Sequence, residues 1–530
     1  LAGPSAPLLT SRLDGAQLHV FPCDLPHLRR VLSDVAPAFA PVAPDRPGLG
    51  LGCRMGVLDL PAALQAIRRF GLCASAIQSS VYRELAPLAD LLSFPAPSIE
   101  LPGVGLVPLG HTGSSITGQF VAMMAGRIAL GDATPIAADA DHLPLRGRSR
   151  EARRLAARLV REAADRTLFT LDPHFCLYGG GAPPAGGVSE ALARRCSAGE
   201  RRELLVRYAE KRFRLPDGAG GPDHQVAFSR AEAEDSILRF ADPLELVAET
   251  CDEIRAARAG RPFAVEVSVD EVPGLTEPHH FYYLAAELRR RNIPVFSLAP
   301  GLGFSKLDVD VRDPQGAFQA RVRILEAIAR RFGMVMGIHS GDGKSVRTRR
   351  VLAAATRGNF WYKISPDRQR NFFRALALCP EGSEGRRLFH EVYRGSLARA
   401  LELAAQAAGQ TAAVARDTLG LVLKGGGLAR ELARELEAVL HGPGPKRRAC
   451  AAFAARLAGA SPRQAPGSLD DHLIHDYAFA MVGERDRRGR FLHRGRFYGL
   501  PPEALRIYRR LDSAYLRDLV RSLGLDKSRD

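Results

Sequence analysis

The chain has 530 residues, of which 46% are hydrophobic and 25% charged, and a formal net charge of +16. That composition belongs to a globular protein with a substantial core and excludes disordered and collagen-like chains; no uncharged apolar run reaches the roughly eighteen residues that a membrane span needs, so no membrane partner is expected. The positive excess sits on stretches such as Arg148–Arg166 and Arg194–Arg214, interleaved with Glu and Asp, and no helix-turn-helix or aromatic-interleaved basic pattern goes with it; solvated helix faces account for it, and no nucleic acid is expected as a partner.

The start, Leu1-Ala-Gly-Pro, lacks the basic-then-apolar pattern of a signal peptide, and the eight cysteines are scattered with no Cys-x-x-Cys pair. Both features lead to the expectation of a cytoplasmic protein with plain thiols. Residues 1–47 are proline-rich and read as an arm or small subdomain. Gly48–Leu58 is a glycine-rich strand whose glycines do not make the Gly-x-Gly-x-x-Gly dinucleotide fingerprint.

Helical segments near Pro61–Phe70 and Gly118–Leu130 precede a short strand, Thr134–His142, that ends in acids and a histidine. A charged helix over Arg148–Arg166 leads to Thr167–Asp172, again apolar and again ending on an acid. Residues 177–225, opened by a Gly/Pro-rich loop, read as an insertion. Ser229-x-x-Glu232 is a capping box that opens the next helix. The best-patterned strand follows, Pro262–Glu271, apolar on one face with Glu266, Ser268 and Asp270 on the other.

From there the alternation is regular. A helix over Glu277–Arg291 leads to strand Val295–Ala299, then to a helix opened by Asp313-Pro314. Strand Met334–His339 passes through Gly341-Asp-Gly-Lys344, a strand-to-helix turn and not a phosphate loop, with Lys344 placed to reach the site mouth. Phe360–Ile364 leads to a helix opened by Ser365-Pro366. A helical stretch over Leu388–Leu440, a linker around Gly442–Gly467, a strand near Ile474 and two short helices, Pro502–Leu511 and Ser513–Leu523, close the chain.

Strands near Leu49, Ile136, Leu168, Val265, Phe296, Met336, Trp361 and Ile474 make eight strand-then-helix units. The leading fold is therefore an α/β protein with a (β/α)8 TIM-type barrel over residues 48–490, with insertions near 177–225 and 388–467 and C-terminal helices over 491–530; a doubly wound open sheet is the alternative. In such a barrel the chemistry sits at the C-terminal strand ends, which here carry Asp139, Asp141 and His142, Asp172, Glu266, Asp270 and Glu271, His339, Lys363, and His475 with Asp476. Imidazoles and carboxylates from several strands aimed at one point suit a divalent metal in an oxygen-and-nitrogen site. No Gly-x-Ser-x-Gly elbow supports a serine nucleophile.

Ala138-Asp-Ala-Asp-His-Leu143, Leu168-Phe-Thr-Leu-Asp-Pro173, Val265-Glu-Val-Ser-Val-Asp-Glu271, Phe296-Ser-Leu-Ala-Pro300, Ile338-His-Ser-Gly341 and Ile474-His475 resemble, in order, the strand motifs of the tagaturonate epimerase family. The resemblance implies a metal-dependent barrel isomerase that interconverts the keto-hexuronates tagaturonate and fructuronate, with a small sugar acid as its partner. Three segments depart from the family pattern: Ala62-Ala63 after Pro61, Gly301 after Ala299-Pro300, and Ile364-Ser365-Pro366 after Lys363.

The expected metal, a divalent Zn, Mn, Ni or Fe ion, is held by His142, His339 and His475 with Asp172 as fourth ligand or supporting partner. The resemblance further implies a retro-aldol/aldol route, with Asp141 and Glu266 as acid–base groups and Asp270 or Glu271 as supports or alternates. Lys363 and Lys344 are candidates for holding the substrate's carboxylate, and Arg54 for a further contact with the substrate. Glu266, an ionisable group in the most apolar strand, is expected to have a raised pKa or an ionic partner such as Lys363 or Arg54. The competing readings are another metal-dependent sugar or sugar-acid isomerase or aldolase, and a non-catalytic sugar-acid-binding relative.

Overall fold

Eight parallel strands close into a barrel in a computed structural model that describes residues 9–526, apart from short stretches of which the main ones are 218–222, 271–273, 304–309, 312–315, 406–408 and most of 442–476. The strands are β1 Gly48–Leu51, β2 Ala74–Ser80, β3 Ala137–Pro144, β4 Leu168–Asp172, β5 Ala264–Val269, β6 Val295–Pro300, β7 Val335–Ile338 and β8 Phe360–Ile364, with β8 paired to β1. The alternation in β5 sorts as its sequence dictates. Val265, Val267 and Val269 join the apolar layer under the outer helices, while Glu266 and Ser268 take the opposite, lumen-facing parity. Leu168, Ala264, Val335 and Trp361 plug the N-terminal end of the barrel.

The outer ring is built from α1 Leu60–Phe70, α2 Ile116–Ala129, α3 Arg150–Glu162, α4 Arg230–Ala257, α5 Pro278–Arg290, α6 Ala317–Arg331 and α7 Val346–Thr356. Its eighth place is taken by α8, Pro502–Ser522, which packs against both α1 and α7. The capping box of α4 forms as the sequence requires, with Ser229 Oγ accepting from Glu232 N and the Glu232 carboxylate accepting from Ser229 N.

Several expectations change. The second strand is Ala74–Ser80, and the barrel closes on eight strands without one at Ile474, which lies outside the described residues. Ala-Ser-Ala-Ile-Gln-Ser-Ser carries a single β-branched residue, little of the signal that marks a strand such as β5, although all seven residues are buried. Helix α6 starts at Ala317 behind Gly316, whose φ of 71° suits glycine; Asp313 and Pro314 lie outside the described residues. The two closing helices are one, because Leu511, Asp512 and Ser513 hold no breaker.

That helix belongs to two layers. Its Ala504 and Tyr508 enter a second apolar core formed with the helices Pro366–Ala377, Glu384–Ala404, Gln410–Gly425 and Arg430–His441, while Leu516, Leu519 and Val520 enter the barrel core. The segment after residue 490 is thus part of the barrel and not an appendage. The insertion after β4 comprises a turn over Pro173–Gly180, the helices Val188–Arg195 and Ala198–Tyr208, and the hairpin Arg212–Leu215/His224–Ala227.

Candidate active site

Lys363, on β8, reaches across the lumen to three carboxylates. Its Nζ lies 2.6 Å from Glu266 Oε1, 2.8 Å from Asp141 Oδ1 and 3.0 Å from Asp139 Oδ2, and donates to Thr170 Oγ1 at 2.6 Å. Ser297 Oγ donates to Glu266 Oε2 at 2.7 Å. The long side chains fit because the facing positions are glycine: a Cβ on Gly50 would lie 2.7 Å from Lys363 Cγ, and one on Gly337 would lie 3.0 Å from Glu266 Oε2. This close approach explains the glycine-rich first strand that matches no dinucleotide motif.

Above this layer, at the C-terminal strand ends, opens a cavity of about 270 Å³ lined by residues that include Arg54, Arg83, Glu84, Asp141, His142, Asp270, His339 and Lys363. Two imidazoles meet there edge to face, with ring centroids 5.5 Å apart. Each has one nitrogen held by a carboxylate from below: His142 Nδ1 lies 2.8 Å from Asp172 Oδ2, and His339 Nε2 lies 2.8 Å from Glu266 Oε1. The other nitrogens lie nearest to carboxylates that line the cavity. His142 Nε2 is 3.6 Å from Asp141 Oδ2 and His339 Nδ1 is 3.4 Å from Asp270 Oδ2, both long for a hydrogen bond.

Four buried carboxylates, Asp139, Asp141, Asp172 and Glu266, and the partly buried Asp270 thus share one lysine and two histidines. Burial and the neighbouring charges together set each ionisation. Burial pushes Asp139 up to about 7 against the pull of Lys363, and Asp141 and Glu266 add to the rise. Burial also acts to raise Asp141 and Asp270, but the imidazoles, joined at Asp141 by Lys363, hold both below the usual carboxylate range. Burial acts to lower both histidines, yet Asp141 and Asp172 raise His142, and Asp270 and Glu266 raise His339 further. Such a pocket favours an added cation.

Pairs in which a carboxylate orients one imidazole nitrogen and leaves the other facing a cavity are the usual supporting arrangement of histidine metal ligands. The donors fit a divalent ion of the nitrogen-and-oxygen class, although among the described residues no three of them stand as close as in an assembled metal cluster.

The family profile of the tagaturonate epimerases matches residues 134–407, which hold strands β3 to β8 and every one of these donors. The chain belongs to the tagaturonate epimerase family. A tagaturonate/fructuronate epimerase of Thermotoga maritima is 32% identical over 139 residues, 26% of this chain and 27% of that relative's length. The fold matches the glycerol-complexed crystal structure of fructuronate-tagaturonate epimerase from Cohnella laeviribosi, with a TM-score of 0.66 and 19% identity over 98% of this chain and 89% of that one. The native structure of that enzyme gives a TM-score of 0.62 at 20% identity, with the same coverage.

Within that family frame, the expected residues sort into four groups. Asp141, His142, Asp270, His339, Lys363 and Arg54 come together around the cavity. Asp172 and Glu266 sit behind the histidines and do not line it. The raised pKa expected for Glu266 is not found: burial acts upward, but Lys363 and His339 outweigh it and hold the carboxyl at about 2, which makes the ionic-partner alternative the correct one. Lys344 is buried, donates to the Asp342 carbonyl at 3.3 Å and is not on the cavity wall. Glu271 and His475 lie outside the described residues. The sequence reading placed Asp139 at a strand end without giving it a role, and it missed Arg83 and Glu84, which follow the overlooked strand β2.

Proposed function

We propose that the chain interconverts tagaturonate and fructuronate with the help of a divalent cation. Apart from the family match, the observation that carries this reading is the pair of carboxylate-backed imidazoles facing one small cavity at the barrel mouth. His142 and His339 would hold the cation, with the predicted His475 as the third imidazole. A bound cation would draw electron density from the ketone and the neighbouring hydroxyl oxygen and so favour cleavage beside them. The seven described cysteines are free thiols, in keeping with action in the cytoplasm.

The inverted carbon is β to the ketone, out of reach of simple α-proton exchange, so the proposed route breaks and remakes the carbon–carbon bond between the α and β carbons. Asp141 and Asp270 face the cavity as ionised carboxylates and so act as acceptors for the hydroxyl proton when the bond breaks and as its donors after the aldehyde fragment has turned and re-added. Lys363 keeps Asp141 ionised, and its ammonium offsets negative charge that builds up beside it. Glu266 acts through His339 and Lys363 and not on the substrate itself.

A panel of keto-hexuronates and neutral ketoses, followed by NMR in deuterium oxide, tests the reading. Epimerisation of tagaturonate without deuterium at the inverted carbon is expected. Turnover of another sugar alone would transfer the site to a different isomerase or aldolase; metal and sugar-acid binding without turnover would make the chain a binding relative. Glu266→Gln keeps the shape but removes the charge behind His339, and it should lower metal affinity or turnover by roughly 10- to 100-fold. Unchanged metal content and unchanged turnover in that variant would remove Glu266 from the site.

A further inference from the structure

Among the described residues, two of the buried side-chain atoms that lack a hydrogen bond belong to the cavity wall. One is His339 Nδ1, which the proposed cation would take up. The other is Oε1 of Gln78, a β2 residue only 2% exposed. No described residue accepts from its Nε2 either. The backbone of Gln78, by contrast, is fixed: its N donates to Cys53 Sγ at 3.2 Å, its carbonyl accepts from Cys53 N at 3.0 Å, and it stands in register with Asp139 on β3. The side chain has its place in the lumen because β1 offers glycine there; a Cβ on Gly50 would collide with Gln78 Oε1.

A buried amide without partners is rare and costly in a native protein. The rest of the wall shows no such slack. Glu84 holds Arg54, Lys363 holds Asp141, Ser268 donates to Asp270, and Asp342 accepts from Ser365 N and Asp367 N. Those side chains are charged and already engaged, whereas Gln78 is neutral and offers two N–H donors and a carbonyl acceptor. With no neighbour to fix which end points where, a half-turn of the amide presents either one. A sugar hydroxyl also donates and accepts, and an amide that can turn suits it in either of two epimers.

Resting on the proposed keto-uronate reaction, we propose that Gln78 is a specificity-determining residue that binds one hydroxyl of the substrate's carbon chain in both epimers. The charged groups around His142 and His339 then serve the keto end and the moving proton, while Gln78 reads whether the chain carries its hydroxyl.

The test uses the whole protein, calorimetric binding of fructuronate and of analogues that each lack one hydroxyl, and turnover in both directions. Gln78→Met, close in length and shape, should weaken fructuronate binding and raise KM for both epimers by about 10-fold, the scale of one hydrogen bond, while changing kcat less. Because it removes an unpaired buried amide, it should unfold at the wild-type temperature or above it. One analogue should bind wild type about 10-fold more weakly than fructuronate does, and should bind wild type and Gln78→Met alike, since its missing hydroxyl and the missing amide are partners. If every analogue loses as much affinity in Gln78→Met as fructuronate does, the assignment is overturned. A lower unfolding temperature with unchanged fructuronate binding overturns it too, by marking a packing role. If wild type binds fructuronate through Gln78 yet turns over no keto-uronate, the epimerase reading falls and the hydroxyl contact stands; if turnover is seen and Gln78→Met binds fructuronate as wild type does, the reading stands and the contact falls.

Discussion

Lys363→Met is expected to lower folding stability by about 3–5 kcal/mol, the usual cost of removing one member of a buried ion pair. The reason is local. Asp139 and Glu266 are completely buried and Asp141 nearly so, and the ammonium of Lys363 is within 3.0 Å of all three. Methionine keeps much of the stem's packing and removes only the charge, so the loss reports electrostatics and not a cavity. Urea unfolding followed by circular dichroism, with and without chelator, checks it. A change of less than about 1 kcal/mol, the scale of an exposed pair, would mean that other groups neutralise the cluster. Turnover should vanish, because His142 and the same lysine together hold Asp141 ionised.

A comparable loss, again about 3–5 kcal/mol, is expected for Arg368→Met, away from the cavity. Arg368 is fully buried at the start of the Pro366–Ala377 helix; its Nη2 lies 2.7 Å from Asp512 Oδ2 on α8, its Nη1 donates to the Gly52 carbonyl at 3.0 Å, and Nη2 also donates to the Asp59 carbonyl. The variant strands Asp512 and frees the turn after β1 that carries Arg54. Because replacing both members of a buried pair by apolar groups is often neutral, Arg368→Met combined with Asp512→Leu should recover much of the stability. Substrate affinity should stay impaired, since Gly52 has still lost its donor. Full recovery of both would show that the pair holds α8 without setting the site.

The barrel was legible in the sequence wherever a strand carried β-branched or aromatic residues on one parity, as in Val265–Val269 and Phe360–Ile364. Ala74–Ser80 was not, because it packs small and polar side chains in a tight place; Gln78 lies against Gly50 and Ser79 against Cys53 and Gln119. Missing that strand also hid Arg83 and Glu84, which a search for charged residues directly after a buried small-residue run would have found. His142, His339 and Asp141 were readable as strand-end donors. The placing of Glu266 and Asp172 behind the histidines was not, since strand parity says which way a side chain points but not how deep its neighbours let it reach. The eighth ring helix was misread for the same kind of reason: residues 365–501 separate β8 from α8, and only contact in space reveals the link.

That separation bears on how the chain is made. During synthesis β1 and α1 emerge some four hundred residues ahead of α8, so the surface between α1 and α7 stays uncovered until residues 502–522 have been made. Contacts this distant along the chain form late and slowly, and exposed apolar surface in the meantime invites aggregation. The helical lobe built by residues 366–441 can assemble first and offer Ala504 and Tyr508 a docking surface, so that the last helix is delivered to the barrel already seated at one end. Closure of the outer ring is therefore gated by residues 502–522, and a stop codon shortly before residue 502 would leave a chain with every barrel strand but an open outer wall.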